Sequence, residues 1–245
     1  MTRTAADDRE EARVRAVYAR REDPALARRY AWDSPAHVFQ IQERERAVLS
    51  LLARHDFLPL AGRAAVELGC GTGFWLRELV KWGARPAGLA GVDLLAGRIE
   101  AARRLSPADV TFVCASAAET GLPSARYDLV LQSMLLSSVL DPAVRRAIAA
   151  EMCRLLRPGG AILWYDVRVG NPSNPDVQSL PRRAVAELFP GARLHLQRIT
   201  LAPPLARRVA GPAPWLAYGL GRLPMLRSHY IGLIWPAASN GAEDG

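Results

Sequence analysis

Four residues in the stretch VELGCGTGFW, residues 66–75, could bind a ligand. Glu67 would use its side-chain carboxylate, and Gly69, Gly71 and Gly73 would use the backbone. Glycines allow a sharp turn and a close approach of a ligand to the main chain. The spacing is not the G-x-G-x-x-G of nicotinamide enzymes, and the absence of G-K-[ST] here excludes a P-loop at this turn. The carboxylate of Glu67 disfavours a pyrophosphate in the turn and favours a cationic or amino group.

A second acidic residue follows where a ribose would be bound. Asp93 ends the run AGVD, about 20 residues after the turn, a separation typical of the carboxylate that bonds ribose hydroxyls in doubly wound folds. Glu67 and Asp93 together indicate a ligand that carries both an amino group and a nucleoside.

The cysteines offer a different chemistry. Cys70, Cys114 and Cys153 are isolated and show no paired spacing, so we expect neither a disulfide nor a zinc site, and no metal. Cys70 could be a reactive thiol at a helix N-terminus, or a small residue that packs under the loop. We favour packing.

Strand and helix patterns alternate around these residues, which predicts an α/β fold: a Rossmann-like, doubly wound, seven-stranded and mainly parallel sheet. Asp141 followed by Pro142 predicts a helix start, and that helix is expected to run to the glycines of RPGG, with a fifth strand over AILWYDV. We predict an N-terminal helical lid segment, residues 1–58, and a binding domain, residues 59–245. A hydrophobic insert, residues 203–227, precedes the last strand.

Composition sets limits on location and partners. The net charge is +8 and the pI about 10.1, but Lys81 is the one lysine among arginines spread along the chain, which favours a generic basic surface over a nucleic-acid groove. The first residues lack a signal-peptide core, so we expect a cytoplasmic protein, monomeric or homodimeric. The insert combines apolar residues with arginines; we favour a lid over a substrate pocket, with peripheral contact to the inner face of a membrane as the alternative.

The chain resembles the class I S-adenosylmethionine-dependent methyltransferases, in particular bacterial small-molecule methyltransferases. VELGCGTG resembles their first motif and GVDLL their second; YDLVLQSMLLSSV resembles the fourth-strand motif and MCRLLRPGGAILWYDV the fifth-strand region. The resemblance implies that Gly69, Gly71 and Gly73 surround the aminoacyl end of S-adenosylmethionine, and that S-adenosylhomocysteine is the product. It also implies further cofactor contacts at Glu67, Cys70, Asp93 (ribose), Leu94 (adenine), Ser116 and Gln132 (methionine portion).

Two segments depart from the family pattern. Ser116 stands where many members carry an acid that contacts the adenine amino group. Ser137 and Ser138 stand where some members carry paired histidines, so no histidine base is expected there.

The resemblance also implies where the acceptor binds. In similar enzymes the N-terminal segment closes over the ligands, which makes Tyr30 a cofactor contact and His37 either a base or a structural residue. Four residues after strand five would lie at the carboxyl edge of the sheet, with Asp166 as a proton acceptor: Asp166, Arg168, Asn171 and Asn174. The Asn-Pro pairs are equally typical of turns.

These observations predict methyl transfer to a small-molecule acceptor, which the apolar insert indicates is hydrophobic. Oxygen of a natural product, glycan or lipid-linked intermediate is the favoured acceptor atom, and carbon and nitrogen stay open. An RNA methyltransferase and a non-catalytic S-adenosylmethionine-binding regulatory protein are the alternatives.

Overall fold

The computed structural model describes residues 5–20, 31–170 and 174–237. Its strands form one sheet in the order β3-β2-β1-β4-β5-β7-β6, in which β7 is antiparallel to both neighbours and the other pairs are parallel. This confirms the predicted seven-stranded, mainly parallel sheet. The strands are β1 Ala65–Leu68, β2 Leu89–Asp93, β3 Thr111–Cys114, β4 Tyr127–Ser133, β5 Leu156–Val167, β6 Arg193–Leu201 and β7 Arg227–Trp235.

Helices cover both faces of this sheet, because the central strands are apolar on both sides and every residue of β1 and β2 is buried. The α-helices are α1 Ala5–Arg20, α2 Pro35–Arg54, α3 Phe74–Lys81, α4 Ala96–Leu105, α5 Pro142–Leu155, α6 Arg182–Leu188, α7 Pro203–Val209 and α8 Pro214–Leu220. Two large hydrophobic cores result: Leu163 and Tyr165 of β5 face the core beneath α2 and α3, and Trp164 faces the core beneath α5.

Helix α5 begins as predicted and ends earlier than predicted. The Asp141 carboxylate accepts hydrogen bonds from the backbone N–H groups of Ala143 and Val144 at 2.7 and 3.2 Å. The helix ends at Leu155, and β5 already begins at Leu156, which pairs with Tyr127 of β4. The prediction of helix up to RPGG was wrong, because a residue before proline disfavours the helical backbone and so the chain leaves the helix ahead of Pro158.

The insert between β6 and β7 contains α7, α8 and a short 3-10 turn, Pro224–Leu226. Its small residues face inward, where Ala206, Ala210 and Ala217 pack in a third hydrophobic cluster with Phe39 of α2. Its large apolar residues face outward, and those exposed are Trp215, Tyr218, Leu223 and Met225. No helix in the described ranges is long and apolar enough to cross a membrane. The predicted division at residue 58 stays a prediction.

Candidate functional site

The glycine turn joins β1 to α3 at the carboxyl edge of the sheet, and its backbone conformation explains the residue type. Gly69, Gly71 and Gly73 have φ of 71°, 55° and 77°, in the left-handed region that L side chains rarely adopt. A side chain at Gly69 would also bring its Cβ to 3.0 Å from the Cδ1 of Leu135. The turn therefore needs glycine for its shape and for its close packing.

Asp93, at the end of β2, holds this turn in place. Its Oδ2 accepts a hydrogen bond from the N–H of Gly71 at 2.8 Å, and its Oδ1 accepts one from the N–H of Leu95 at 3.0 Å. A carboxylate oxygen can accept more than one hydrogen bond, so both oxygens keep capacity for ligand hydroxyls. The two acidic positions predicted from the sequence are thus linked through the turn between them.

Glu67 is the buried acid at this end of the cleft. Burial raises the pKa of its carboxyl well above the ordinary value, and the charge of Asp93 raises that pKa further, against a lowering by Arg77. Within the described parts of the chain, its Oε2 is buried and has no hydrogen-bond partner. A buried acceptor without a donor is costly, and a ligand that brings a positively charged donor would remove that cost.

Cys70 is buried beneath the turn with 5% of its surface exposed. Burial raises the pKa of the thiol far above its ordinary value, and the charges of Glu67 and Asp93 raise it further. The backbone of β2 makes room for the sulfur, since a Cβ at Gly91 would lie 2.9 Å from it. This environment opposes thiolate formation and supports the packing interpretation.

A cleft that is open to solvent, with an enclosed volume of about 80 Å³, lies above the turn. It brings together several residues predicted to bind the cofactor: Gly69, Asp93, Leu94 and Ser116. Ser116 uses its hydroxyl as acceptor for the N–H of Ala118 at 3.3 Å. Gln132, fully buried at the end of β4, lies deeper, and its Oε1 accepts a hydrogen bond from the N–H of Leu135 at 3.2 Å.

Helix α1, which lies in the predicted lid segment 1–58, forms part of the cleft wall, although none of its residues was predicted as a ligand contact. Four of its residues line the cleft: Glu10, Glu11, Val14 and Tyr18. The helix is anchored there because the N–H of Leu140 donates to Glu10 Oε1 at 2.6 Å and Arg15 donates to the carbonyl of Leu94 at 2.8 Å. The four-residue spacing of Glu10, Val14 and Tyr18 places them on one face of the helix, which was the available sequence signal for this wall. Because two of the four lining residues are acidic, that face looks solvent-exposed in the sequence.

Asp166, predicted as a proton acceptor, lies on the α5 side of β5 and is fully buried. Its Oδ2 accepts from the N–H of Ser137 at 3.1 Å and its Oδ1 from its neighbour Val167 at 2.8 Å. Burial raises its pKa to about 6, although hydrogen bonds from Ser137 and Val167 lower it. The Asp166 carboxylate therefore links the segment after β4, through Ser137, to strand β5.

The predicted substrate residues after β5 make local contacts. Arg168 donates to the carbonyl of Arg227 at 2.9 Å and lies over the ring of Tyr230. The Asn174 side chain accepts from the N–H of Asp176 at 3.3 Å, a turn contact. Tyr30 and Asn171 lie outside the described residues.

A second group of polar residues lies under α2, on the opposite side of the sheet from Asp166. The Tyr165 hydroxyl is 3.0 Å from the hydroxyl of Thr200, and the ring of His229 stacks on that of Tyr165. Burial, together with the smaller effect of the Arg44 charge, lowers the pKa of His229 to about 3. Burial and the same Arg44 charge also lower the pKa of His37, the predicted base on α2, whose ring lies 5.5 Å from that of Trp32.

Residues 65–160 match the family model described as a methyltransferase domain. A ubiquinone biosynthesis O-methyltransferase from Methylococcus capsulatus is 35% identical over 107 residues, 43% of this chain and 44% of that protein. A dimethylglycine N-methyltransferase from Parasynechococcus marenigrum is 32% identical over 127 residues, 50% of this chain and 43% of that protein. The chain therefore spans less than half the length of these curated relatives.

A solved structure extends the likeness in fold to almost the whole chain. The 1,6-didemethyltoxoflavin-N1-methyltransferase from Burkholderia thailandensis, with bound 1,6-didemethyltoxoflavin and S-adenosylhomocysteine, superposes with a TM-score of 0.60 at 16% identity, covering 96% of this chain and 90% of that one. Residues 65–160 therefore form a methyltransferase domain, and the chain has the fold of S-adenosylmethionine-dependent methyltransferases. Its methyltransferase domain contains β1 to the start of β5 and the glycine turn, whereas Arg44, Tyr165 and His229 lie outside the matched residues.

Proposed function

We propose that the protein transfers a methyl group from S-adenosylmethionine to an oxygen of a small-molecule acceptor, such as a natural product, glycan or lipid-linked intermediate. The observation that carries this proposal is the turn-linked pair of Glu67 and Asp93 in a methyltransferase domain. The name of the Methylococcus relative specifies O-methylation, which supports oxygen as the acceptor atom.

The residues of the turn fit this cofactor. The methionine ammonium would supply the donor that Glu67 Oε2 lacks, and the ribose hydroxyls would donate to Asp93. Leu94 and Ser116 line the cleft where the adenine would bind, and Gln132 lies toward the methionine portion. When bound, S-adenosylmethionine supplies an electrophilic methyl group on a sulfonium.

Substitution on that methyl requires alignment of the acceptor, and a base only where the acceptor loses a proton. We propose His37 as that base, because it lies near Arg44 and its lowered pKa keeps it neutral near pH 7. Asp166 remains a predicted proton acceptor; its buried contacts favour a positioning role on Ser137. The N-terminal segment, including Tyr30, would cover both ligands.

Calorimetry with S-adenosylhomocysteine and an assay of label transfer from methyl-labelled S-adenosylmethionine test the proposal together. The label is followed into the low-molecular-mass and the RNA fractions of a cell extract. Nucleoside binding together with label in small molecules is expected. Label in RNA would support the alternative RNA methyltransferase, and binding without transfer to either fraction would support the non-catalytic alternative.

We further propose that the insert, residues 203–227, contacts an anionic membrane surface. Its exposed apolar residues would enter the interface, while the exposed Arg207, Arg208 and Arg222 would meet lipid phosphates. Residues 201–235 contain no acidic residue that would oppose this contact. The outward direction of Trp215 and Met225 favours this role over a lid that buries its apolar face.

A further inference from the structure

The guanidinium of Arg44 lies between two aromatic rings under helix α2. Its Cζ is 4.7 Å from the ring centroid of Tyr165 and 5.7 Å from that of Trp75. Both rings belong to the buried core between α2 and the sheet, so the cation is held against apolar surface. Attraction to the ring faces partly offsets its loss of water, but supplies no hydrogen-bond acceptor.

Arg44 makes neither an ion pair nor a hydrogen bond with any residue in the ranges that the structure describes, and its Nε is buried without a partner. Arg63, by contrast, contacts Asp128 at 3.0 Å, and the buried Arg145 donates to the carbonyl of Val139 at 2.7 Å. A partly buried cation without an anion is unfavourable, and it becomes favourable when an anion arrives.

Glu43, the acidic residue next to Arg44 in helix α2, is not the anion that pairs with Arg44. Glu43 precedes Arg44, so the two side chains point in different directions around the helix axis. The charges that lower the pKa of Glu43 are those of Arg227 and Arg46, and burial raises that pKa above its ordinary value. The charge of Glu43 also acts on Tyr165, but no ion pair joins Glu43 to Arg44 in the described ranges, so the guanidinium edge of Arg44 is left for another anion.

The rings that hold Arg44 also line a small cavity of about 10 Å³, no larger than one water molecule needs. Gln132 and Ser133, at the carboxyl end of β4, line the same cavity. Ser133 also lines the cofactor cleft, so the cavity and the cleft meet at that residue. An anion bound to Arg44 would therefore lie next to the methionine end of the cleft, on the side where an acceptor must approach.

We infer that Arg44 binds a carboxylate of the acceptor and orients it beside the cofactor. A carboxylate matches the planar guanidinium edge with two parallel hydrogen bonds, and the ring faces on either side leave that edge as the available approach. This inference rests on the proposed function, because it names the acceptor class of the same site. It makes the acceptor an organic acid.

The test uses hexanoate and its neutral counterpart hexanamide, titrated by ligand-observed NMR into the full chain saturated with S-adenosylhomocysteine. Hexanoate is expected to bind the native protein more tightly than hexanamide. In Arg44→Met, hexanoate should bind about tenfold to a hundredfold more weakly, since a charge-assisted hydrogen bond contributes about 1.5–3 kcal/mol, while hexanamide binding stays unchanged. Arg46→Met, on the exposed side of the same helix, is the matched control and should bind hexanoate normally.

Arg44→Lys keeps the charge without the planar fork and should recover part of the affinity; it also guards against a folding defect in Arg44→Met. Equal binding of hexanoate and hexanamide, no hexanoate binding, or unchanged hexanoate affinity in Arg44→Met would overturn the inference. Tight binding of hexyl phosphate in place of hexanoate would mean that Arg44 binds a phosphate and not a carboxylate, which would also overturn the inference. Failure of S-adenosylhomocysteine to bind the native protein would instead reject the proposed function, so the two failures are distinguishable.

Discussion

The rings of His229 and Tyr165 stack with centroids 5.0 Å apart and planes inclined by 3°. Ser228 holds the His229 ring in this position. Its Oγ donates to the carbonyl of Thr200 at 3.2 Å and lies 2.8 Å from His229 Nδ1. A hydroxyl has one proton, so the Nδ1 of His229 is the donor in the second contact and its Nε2 carries the lone pair. Thr200 has φ of 67°, a rare conformation for a β-branched residue, which marks local strain beside this network.

This stack predicts acid-sensitive stability. The pKa of His229 is about 3 in the fold and 6.5 in an unfolded chain, so between these values the unfolded state binds more protons. The stability contribution is therefore complete above pH 6.5 and lost as pH falls toward 3; by pH 5 the loss is roughly 2 kcal/mol. Denaturant unfolding of the native chain and of His229→Phe at pH 7 and pH 5 measures this loss. The free energy of unfolding should fall more between these pH values in the native chain than in the variant. A gap between the two proteins that does not change with pH would contradict the assignment.

Asp93 is predicted to control nucleoside affinity through two contacts at once. Asp93→Ala removes the acceptor for ribose hydroxyls and the anchor of the Gly71 N–H. We expect about a hundredfold loss of S-adenosylhomocysteine affinity by calorimetry, from two lost charge-assisted hydrogen bonds. Asp109→Ala, an exposed residue before β3, is the control and should bind normally. Unchanged affinity in Asp93→Ala would count against ribose binding at this residue.

Cys70 is predicted to be dispensable for chemistry. Its buried thiol resists ionisation, so Cys70→Ala should retain methyl transfer and nucleoside affinity while losing about 1 kcal/mol of unfolding free energy, as expected for a small core truncation. Thiol-reactive reagents should label the exposed Cys114 before Cys70 in the native protein. Abolished turnover with intact nucleoside binding would instead assign the thiol a catalytic role.

The features that sequence predicted correctly are those with local physical causes. The strand-helix alternation, the glycine turn and the cap at Asp141 each depend on backbone geometry or short-range hydrogen bonds, which a single sequence displays. Arg44 and the individual cleft-lining residues of α1 were not predicted, for the opposite reason. Arg44 stands in the charged run ERER, which looks like a solvated face, and its burial depends on strands more than 100 residues away.

The insert is predicted to bind anionic vesicles through two of its most exposed side chains. Trp215 and Met225 expose 75% and 79% of their surface, and their insertion into the lipid interface would remove apolar area from water. The native protein should sediment with phosphatidylglycerol vesicles at low salt, much less with phosphatidylcholine, and the double variant Trp215→Ser, Met225→Ser should lose this binding.

The matched control for that experiment replaces Leu105 and Val169 by serine, since these are exposed apolar residues remote in sequence from the insert. Because charge attraction is screened by salt, binding of the native protein should fall as ionic strength rises. If both double variants bind like the native chain, the insert does not enter the lipid. A different result would be that the native chain does not bind vesicles and that the insert variant binds the acceptor more weakly than the native chain. The outward apolar residues would then belong to a lid that closes over the site.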